Sequence, residues 1–593
     1  MPSYTAPVRD MQFLLHEVLD IAQYGDLPKF SEAPRDLADA ILDEAAKFAQ
    51  GVLQPLNQIG DEKGCVRHED GSVTTPPGFK DAFDQFVENG WPLLGADPEF
   101  GGQGLPGVLG IAVSEMMSTA NTAFAMYPGL TRAAVEAIQA GGTKEQKQKY
   151  LPKMVPCHWG GTMNLTEPHC GTDLGLLKTK AVPQPDGSYH ITGQKIFISS
   201  GEHDLTDNII HMVLARIEGA PEGTKGISLF IVPKFLVKED GSLGERNGVM
   251  CGSIEHKMGI HGNSTCTMNY DDATGYLIGK ENKGLRLMFV MMNAARLGTG
   301  MQGLCQSEVS YQNAVTYAKD RLQGRSLTGP KNPDGPADPI IVHPDVRRML
   351  LEAKSVTEGC RAFLYWTALH GDLEDLCPDE KVRQRSADYM ALMTPVVKAY
   401  MTDRGYYNAT NAQQVYGGHG YIEEWGMSQF VRDARIGMIY EGANGVQALD
   451  LVGRKLAMHG GRPIMTFFAE LDGFIADHDG DEGLKPFIDG MRTARERLNA
   501  ATTWLMENSL SDFDNAGAGS MAFLHLFALT ALSYMWAKMA KVALAKKGKE
   551  PFYETKLKTG RFFLDHVLPE TEVHLARVQA GAASLMALSA DEF

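Results

Sequence analysis

Residues 188–199 read Ser-Tyr-His-Ile-Thr-Gly-Gln-Lys-Ile-Phe-Ile-Ser, and this stretch decides the fold class of the chain. Apolar and polar side chains alternate in its first half, and aromatic and β-branched residues fill its second half, which is typical of a β-strand. Similar runs follow at 209–217, 227–237, 264–270 and 275–278, separated by Gly, Asp, Asn and Pro. We therefore predict an antiparallel sheet or small barrel in this region.

Helical periodicity surrounds the β region on both sides. Before residue 160, apolar residues recur at steps of three and four, as in Leu37, Ala40, Ile41 and Ala45. The same period returns after residue 284 and continues to the end of the sequence. We predict a mainly α protein with a central β domain, divided into an N-terminal helical domain (1–159), a β-barrel or sandwich domain (160–284), a helical bundle (285–460) and an additional C-terminal helical domain (461–593).

The composition excludes several classes of protein. The 593 residues include 56 Lys and Arg against 73 Asp and Glu, a net charge of −17, which argues against a nucleic-acid binder because phosphate binding needs clustered positive charge. None of the eight cysteines forms a CxxC pair, so a zinc ribbon and a thioredoxin-type motif are excluded. Scattered single cysteines fit a reducing compartment, and we expect a cytoplasmic protein.

One stretch raises the question of a membrane. Residues 515–537 carry no formal charge and are long enough to cross a bilayer. Because the stretch begins Asn-Ala-Gly-Ala-Gly-Ser and contains His525, Thr530 and Ser533, we predict a buried helix of a bundle instead. Eight basic residues follow between 538 and 561, against two Glu. They indicate a solvated helical tip, with a weak peripheral contact to anionic lipid at the inner membrane as the alternative.

Two stretches of the β region have ligand-binding chemistry. Residues 165–173, Leu-Thr-Glu-Pro-His-Cys-Gly-Thr-Asp, predict a turn whose hydroxyl and backbone N–H groups could hold an anion or a polar cofactor edge. In residues 193–201, Phe197 precedes Ser199 by two positions, so both face one side of a strand and could support a flat ring. A solvated loop and a half-buried structural strand are the alternatives.

Three further candidates lie in the helical region. Residues 414–421 hold three glycines in four positions, which either let the backbone approach a ligand or end a helix. Residues 439–445 place Glu441 among apolar neighbours, where burial would raise a carboxyl pKa toward the range of a general base. A Glu in the first turn of a helix is the alternative. Arg296 lies in an apolar helix, where a structural ion pair is the simplest explanation.

Taken together and in this order, these motifs resemble the acyl-CoA dehydrogenase family. The opening YTAPVRDMQFLLHEV (4–18) and the long C-terminal block are similar to its larger bacterial branch, which includes enzymes for fatty acyl-CoA and 3-methylthiopropanoyl-CoA. The resemblance covers residues 40–460 and rests on LTEPHCGTD (165–173), GQKIFISSG (193–201), KMGIHGNSTC (257–266), ENKGL (281–285), MMNAAR (291–296), QVYGGHGY (414–421) and RDARIGMIYEG (432–442).

The resemblance implies the FAD-dependent α,β-dehydrogenation of fatty acyl-CoA to trans-2-enoyl-CoA, the first step of β-oxidation, with electrons passed to an electron-transfer flavoprotein. Glu441 matches the base that removes the α-proton, while the β-hydrogen leaves as hydride to flavin N5. The Glu441 N–H and a ribityl hydroxyl of FAD would polarise the thioester carbonyl. A 3-methylthiopropanoyl-CoA dehydrogenase and a flavin oxidase or monooxygenase of the same fold are the alternatives. A homodimer is expected, and neither a metal nor a nucleic-acid partner is.

The resemblance also assigns binding residues. Arg296 and Gly442 match positions near the acyl-CoA substrate. Arg321 and the loop beginning at Gln414 match contacts made to FAD across a subunit boundary. The positions that match FAD contacts are Leu165, Thr166, Gly171, Thr172, Phe197, Ser199, Arg321, Gln414, Gly417 and Gly418.

Four positions depart from the family pattern. Phe197 replaces the usual Trp, and Ser199 and Ala443 replace the usual Thr. His261 stands where Arg or Lys is common, and no role is assigned to it. Residues 122–131 are expected either to line the end of the acyl pocket or to belong to the core.

Overall fold

The structure is a computed structural model, and it describes residues 2–593 apart from the side chain of residue 294. Contacts divide the chain into two compact units. One unit contains the segment up to residue 43 together with 107–115 and 299–593, and the other contains 44–106 and 116–298.

The part of the chain before residue 159 is mostly helical. Apolar spacing explains this: in the helix at Phe79–Glu88, Phe79, Ala82, Phe83 and Phe86 form one buried face. The elements are α1 (Val8–Gln12), α2 (Pro28–Ser31), α3 (Arg35–Phe48), α4 (Gln54–Lys63), β1 (Val66–Arg67), β2 (Val73–Thr74), α5 (Phe79–Glu88), α6 (Gly107–Ala120), α7 (Thr122–Gly141) and α8 (Lys144–Met154).

The middle of the chain is a small barrel. Strands β11, β5, β4, β6 and β7 pair in that order, and β7 pairs again with β11, which closes the ring and leaves few free edges. The strands are β3 (Trp159–Asn164), β4 (Lys180–Pro183), β5 (Tyr189–Ser199), β6 (Asn208–Ile217), β7 (Ser228–Pro233), β8 (Phe235–Val237), β9 (Leu243–Arg246), β10 (Val249–Ile254) and β11 (Thr265–Ile278).

The barrel differs from the sequence prediction in two ways. Strand β6 pairs in parallel with β3 and with β4, so the sheet is mixed rather than antiparallel. The two strands predicted at 264–270 and 275–278 are one strand, β11. Asp272 has a φ of 46°, and the register with β5 shifts between Tyr270 and Ala273, so the strand bends there without ending.

The remainder of the chain is helical, so the predicted fold class, mainly α with a central β domain and an extra C-terminal helical domain, is confirmed. The helices are α9 (Gly284–Asp320), α10 (Pro344–Leu376), α11 (Glu380–Val415), α12 (Met427–Arg435), α13 (Asn444–Asp450), α14 (Arg462–His478), α15 (Lys485–Asn508), α16 (Asp514–Ala545), α17 (Pro551–Phe562) and α18 (Glu570–Gln579).

Helix α16 contains the uncharged stretch. Among the described residues it is the one helix long and apolar enough to cross a membrane, yet 72% of its most apolar window is buried inside the protein. The hydroxyl of Thr530 donates to Ala494 of α15 at 3.3 Å. The prediction of a buried bundle helix is therefore confirmed.

Part of the basic stretch at 538–561, which begins inside α16, is paired with carboxylates of the protein itself. Three of its cations bind carboxylates, so the predicted weak lipid contact, which stays a prediction, rests on fewer cations than the sequence suggested. The pairs are Lys546 with Glu17 (3.0 Å), Lys556 with Glu358 (2.8 Å) and Arg561 with Asp565 (2.8 Å).

A buried charge cluster ties the N-terminal segment to the helices of its unit. Arg361 of α10 is 1% exposed, and its guanidinium binds Asp10 of α1 (2.8 Å), Glu115 of α6 (2.7 Å) and Glu308 of α9 (2.6 Å). Lys556 of α17 pairs with the same Asp10. Buried charges need such partners, because an unpaired one would be strongly destabilising.

Candidate functional site

The loop at 165–173 is fastened to strand β5 by a buried ion pair. Lys195 of β5 is fully buried, and its Nζ donates to the carbonyl oxygen of Leu165 at 3.0 Å and to the Glu167 carboxylate at 2.8 Å. The same carboxylate accepts the backbone N–H groups of Lys178 (2.7 Å) and Thr179 (3.0 Å). Burial raises the pKa of Glu167, but the Lys195 charge and the hydrogen bonds outweigh it and hold that pKa below its usual range.

Predicted cofactor residues on this loop and strand present exposed binding groups. Phe197 is 60% exposed and has a φ of 60°, because β5 bulges there against β11. Gly171 and Thr172 are exposed, while Thr166 and Ser199 are half-buried. None of the hydrogen bonds among the described residues uses the hydroxyl group of Thr166, Thr172 or Ser199.

This arrangement fits the expected FAD. A large uncovered ring beside unused hydroxyl groups suits a flat ligand with a polar edge, because the ring can stack while the hydroxyls bond. Glu167, His169 and Cys170 also bring metal-ligand atom types within 4.8 Å of one another. Both Glu167 oxygens are already taken by Lys195 and by backbone N–H groups, so we assign this cluster to loop structure.

A second group of predicted cofactor residues lies where α9 and α11 end. Tyr317, one turn before Arg321, stacks on Tyr416 at 4.1 Å between ring centroids, which brings Arg321 close to residues 414–418. Helix α11 ends at Val415, so the glycines do end a helix. A Cβ on Gly417 or Gly418 would meet nothing within 4 Å, so their backbone is also open to a ligand. The exposed residues of this corner are Arg321, Gln414, Gly417 and Gly418.

Glu441 lies in the turn that precedes α13. The helix begins at Asn444, so Glu441 is not in its first turn, and that alternative is wrong. The side chain is half-buried, and the φ of Glu441 is 57°, a left-handed conformation that costs a non-Gly residue about 1–3 kcal/mol. Gly442 follows with a φ of 83°, and a Cβ there would lie 2.3 Å from Nε2 of Gln447. The turn therefore requires Gly at 442.

Side chains from outside the turn fix its backbone. Lys398 of α11 is fully buried, and its Nζ donates to the Gly442 carbonyl oxygen at 2.7 Å and to Oδ1 of Asn444 at 2.8 Å. Nε2 of Gln447 donates to the carbonyl oxygens of Glu441 (3.2 Å) and Gly442 (3.4 Å). These bonds hold the left-handed conformation that carries the Glu441 carboxylate.

The sequence-based reasoning missed Lys195 and Lys398, which position the two predicted sites. Each is a lone Lys with apolar residues on at least one side, in Gln-Lys-Ile-Phe-Ile and Val-Val-Lys-Ala-Tyr. A buried lysine almost always has a specific acceptor, so a single Lys beside apolar residues was the sequence signal that could have identified both.

Arg296 is buried on α9. It is 9% exposed, its Nη1 donates to Oδ1 of Asn293 at 3.3 Å, and its guanidinium lies 5.9 Å from the ring centre of Phe289. Its role beside the substrate, like that of Gly442, stays a prediction.

Comparison with known proteins identifies the family. Four family models match the chain in order: the N-terminal domain of acyl-CoA dehydrogenase (36–157), its middle domain (162–273), its C-terminal domain (282–456) and an acetyl-CoA dehydrogenase C-terminal-like domain (467–589). The chain belongs to the acyl-CoA dehydrogenase family and is an FAD-dependent oxidoreductase, as its motifs predicted.

Relatives match along the whole chain. The chain is 42% identical over 593 residues to 3-methylmercaptopropionyl-CoA dehydrogenase of Ruegeria pomeroyi, covering 99% of this chain and 100% of that protein. It is 35% identical over 592 residues to the broad-specificity linear acyl-CoA dehydrogenase FadE5 of Mycobacterium tuberculosis, covering 96% of each. The crystal structure of acyl-CoA dehydrogenase complexed with FAD from Bacillus anthracis has the same fold, with a TM-score of 0.74, 22% identity, and coverage of 93% of this chain and 89% of that one.

Proposed function

We propose that the protein catalyses the α,β-dehydrogenation of linear acyl-CoA thioesters to trans-2-enoyl-CoA, with Glu441 as the base. The observation that carries the proposal is the half-buried Glu441 carboxylate on a left-handed turn whose backbone is fixed by Lys398 and Gln447. A carboxylate held on a fixed backbone loses little conformational entropy when it approaches the substrate proton. Such positioning is the main requirement of this reaction.

The chain's own residues would do the following. The Glu441 carboxylate takes the α-proton of the thioester, and the Glu441 N–H donates to the carbonyl oxygen, on which negative charge develops. FAD, when bound, accepts the β-hydrogen as hydride. Phe197 and the hydroxyls of Thr166, Thr172 and Ser199 would hold the cofactor. Arg321, Gln414, Gly417 and Gly418, which are exposed, would bind FAD of a neighbouring chain in a homodimer.

A second candidate substrate is 3-methylmercaptopropionyl-CoA, because the relative from Ruegeria pomeroyi carries that name at 42% identity. Its thioether tail has the size of a short alkyl chain, and a pocket separates chains that differ by one methylene by only about 1–3 kcal/mol. Tyr127, in the stretch expected either to line the acyl pocket or to belong to the core, is 2% exposed, and its hydroxyl donates to the Gly262 carbonyl oxygen at 3.2 Å. We therefore assign Tyr127 to the core and leave half-buried Met126 as the candidate that limits chain length.

The variant Glu441→Gln tests the proposal. It should bind FAD and acyl-CoA but lose substrate-driven bleaching of the flavin by about 10²–10⁴-fold, because a general base contributes about that much. Stopped-flow absorbance under anaerobic conditions measures the rate. Glu507→Gln, an exposed carboxylate of α15, is the matched control and should bleach at the normal rate.

Two results would overturn parts of the proposal. Unchanged bleaching in Glu441→Gln would place the base elsewhere. Rapid oxygen consumption with hydrogen peroxide release, in place of electron transfer to an electron-transfer flavoprotein, would favour an oxidase. A series of kcat/KM values from short to long acyl-CoA, including 3-methylmercaptopropionyl-CoA, decides between the two substrates.

A further inference from the structure

One of the contacts between the C-terminal helical block and α11, the bundle helix that carries Lys398, is made by a histidine. His525 of α16 lies with its Nε2 2.8 Å from Oδ2 of Asp403, on α11. The two side chains are 18% and 15% exposed, so water competes little for this bond. The rings of Tyr400 (5.4 Å) and His574 (5.2 Å) pack against His525 and hold its orientation.

The hydrogen bonds continue from Asp403 toward the turn before α13. The other carboxylate oxygen, Oδ1, accepts from Nδ2 of Asn444 at 2.6 Å. The same Nδ2 donates to Oγ1 of Thr402 (3.0 Å) and to the carbonyl oxygen of Ala399 (3.1 Å). Asp403 thus fixes which way the Asn444 amide faces, because a flipped amide would direct its oxygen at the carboxylate.

The fixed amide orientation is what Lys398 requires. Oδ1 of Asn444 accepts from Nζ of Lys398 at 2.8 Å, and the same Nζ donates to the Gly442 carbonyl oxygen at 2.7 Å. An unbroken series of hydrogen bonds therefore runs from His525 through Asp403, Asn444 and Lys398 to the backbone beside Glu441.

We infer that His525 is a positioning residue for the dehydrogenation, through which the C-terminal block fixes the turn that carries Glu441. The inference rests on the proposed role of Glu441 as the base. Helix α13, which begins at Asn444, packs against both α11 and α16, so the hydrogen bonds run along an existing contact between these helices. Loss of the His525 bond releases Asp403, then the Asn444 amide, and then one partner of Lys398.

The variant His525→Ala tests this, with His478→Ala as the matched control. His478 is a half-buried histidine of the same block whose ring packs on Phe474 at 4.6 Å, in α14. We expect His525→Ala to slow flavin bleaching by about 10- to 100-fold, since small misplacements have effects of this size. FAD content and the Kd of enoyl-CoA product should equal those of the control.

A second readout does not depend on turnover. Amide hydrogen exchange of residues 440–446 in the holoenzyme should accelerate in His525→Ala and not in His478→Ala. His525→Gln keeps a side-chain N–H donor and should restore part of both the bleaching rate and the exchange protection. If His525→Ala fails to fold, Asp403→Asn and His525→Gln give the same comparison.

The outcomes separate this inference from the proposed function. If His525→Ala matches the control in bleaching rate and in exchange at 440–446, the inference is wrong, whatever Glu441→Gln shows. If Glu441→Gln still bleaches, the proposed function fails even where exchange at 440–446 responds to His525→Ala. The double variant of His525→Ala and Asp403→Asn should be no slower than Asp403→Asn alone, because both act through one series of bonds. An additive loss would overturn the inference.

Discussion

His261 shows how one residue can set a pH dependence. Its Nδ1 lies 2.9 Å from Oδ1 of Asp61 and 3.0 Å from the Asp61 carbonyl oxygen, while Nε2 lies 2.7 Å from the carbonyl oxygen of Lys257. Oxygen acceptors therefore face both ring nitrogens, and only the doubly protonated imidazolium satisfies all of them. The hydrogen bond to Asp61 is the main cause that raises the pKa of His261 to about 9.

A raised pKa in the folded state stabilises the protein at low pH. The contribution is complete below the ordinary histidine pKa of about 6.5 and is lost as the pH rises through about 9. We expect His261→Asn to lower Tm at pH 6 and to differ little from the parent at pH 10. Thermal melts of both proteins across this range measure the difference.

The exposed His566 supplies the control for this experiment. His566→Asn should leave Tm unchanged at every pH. A Tm difference for His261→Asn that stays constant from pH 6 to pH 10 would contradict the proposed charge on His261.

The sequence could not assign a role to His261, because its partner Asp61 is 200 residues away. The same holds for Lys398, which lies 44 residues before Gly442. Motifs predicted candidate ligand-binding residues, such as Phe197 and Glu441, because the residues of each motif are close together in the sequence. Residues that hold them in place act across the fold, and one sequence without its three-dimensional contacts does not reveal such pairs.

At the scale of elements, the Lys195–Glu167 ion pair joins a loop to strand β5. Removing one partner of a buried pair leaves an uncompensated charge and costs about 3–5 kcal/mol. We expect Lys195→Met to lower Tm and to weaken FAD binding at least about tenfold, because the loop bearing Thr166 and Thr172 loses its fixed relation to Phe197. Fluorescence titration of the apoprotein with FAD measures the Kd.

Lys178→Met is the matched control, since the Lys178 side chain is exposed and only its backbone N–H contacts Glu167. It should bind FAD normally. An FAD affinity for Lys195→Met equal to that of Lys178→Met would show that the ion pair does not position the cofactor loop.

The elements themselves were predicted well where the periodicity was regular. Strand β5 begins at Tyr189, one residue after the predicted start. The prediction was close because buried and exposed positions alternate along such a strand, and apolar and polar residues alternate with them in the sequence. The division of β11 into two strands was wrong, because Asp271 and Asp272 resemble a turn while the structure uses them at a register shift. The sequence of β6 does not indicate that this strand pairs in parallel with β3 and β4.

At the scale of the whole molecule, we propose a homodimer. Tyr421 (86% exposed), Ile422 (48%) and Trp425 (40%) form an apolar surface shortly after the end of α11. Large exposed apolar side chains that cluster in this way mark interaction sites. We expect Tyr421→Arg to shift the mass in light scattering from two chains toward one, and to reduce the FAD retained on purification.

Leu327→Arg provides the comparison, because Leu327 is 88% exposed and stands in a different loop. That variant should remain dimeric and yellow. A dimer that survives Tyr421→Arg with its FAD intact would locate the subunit contact elsewhere.

The charge cluster at Arg361 bears on how this enzyme can be engineered. Asp10 is neutralised jointly by Arg361 and by Lys556 of α17. Truncation of the chain after residue 460 would remove Lys556 and leave buried carboxylates with one cation fewer. We therefore expect the truncated protein to be destabilised. An N-terminal tag or fusion that displaces α1 would disturb the same cluster, because Asp10 belongs to that helix. The last helical block is therefore an integral part of the protein and not a detachable module.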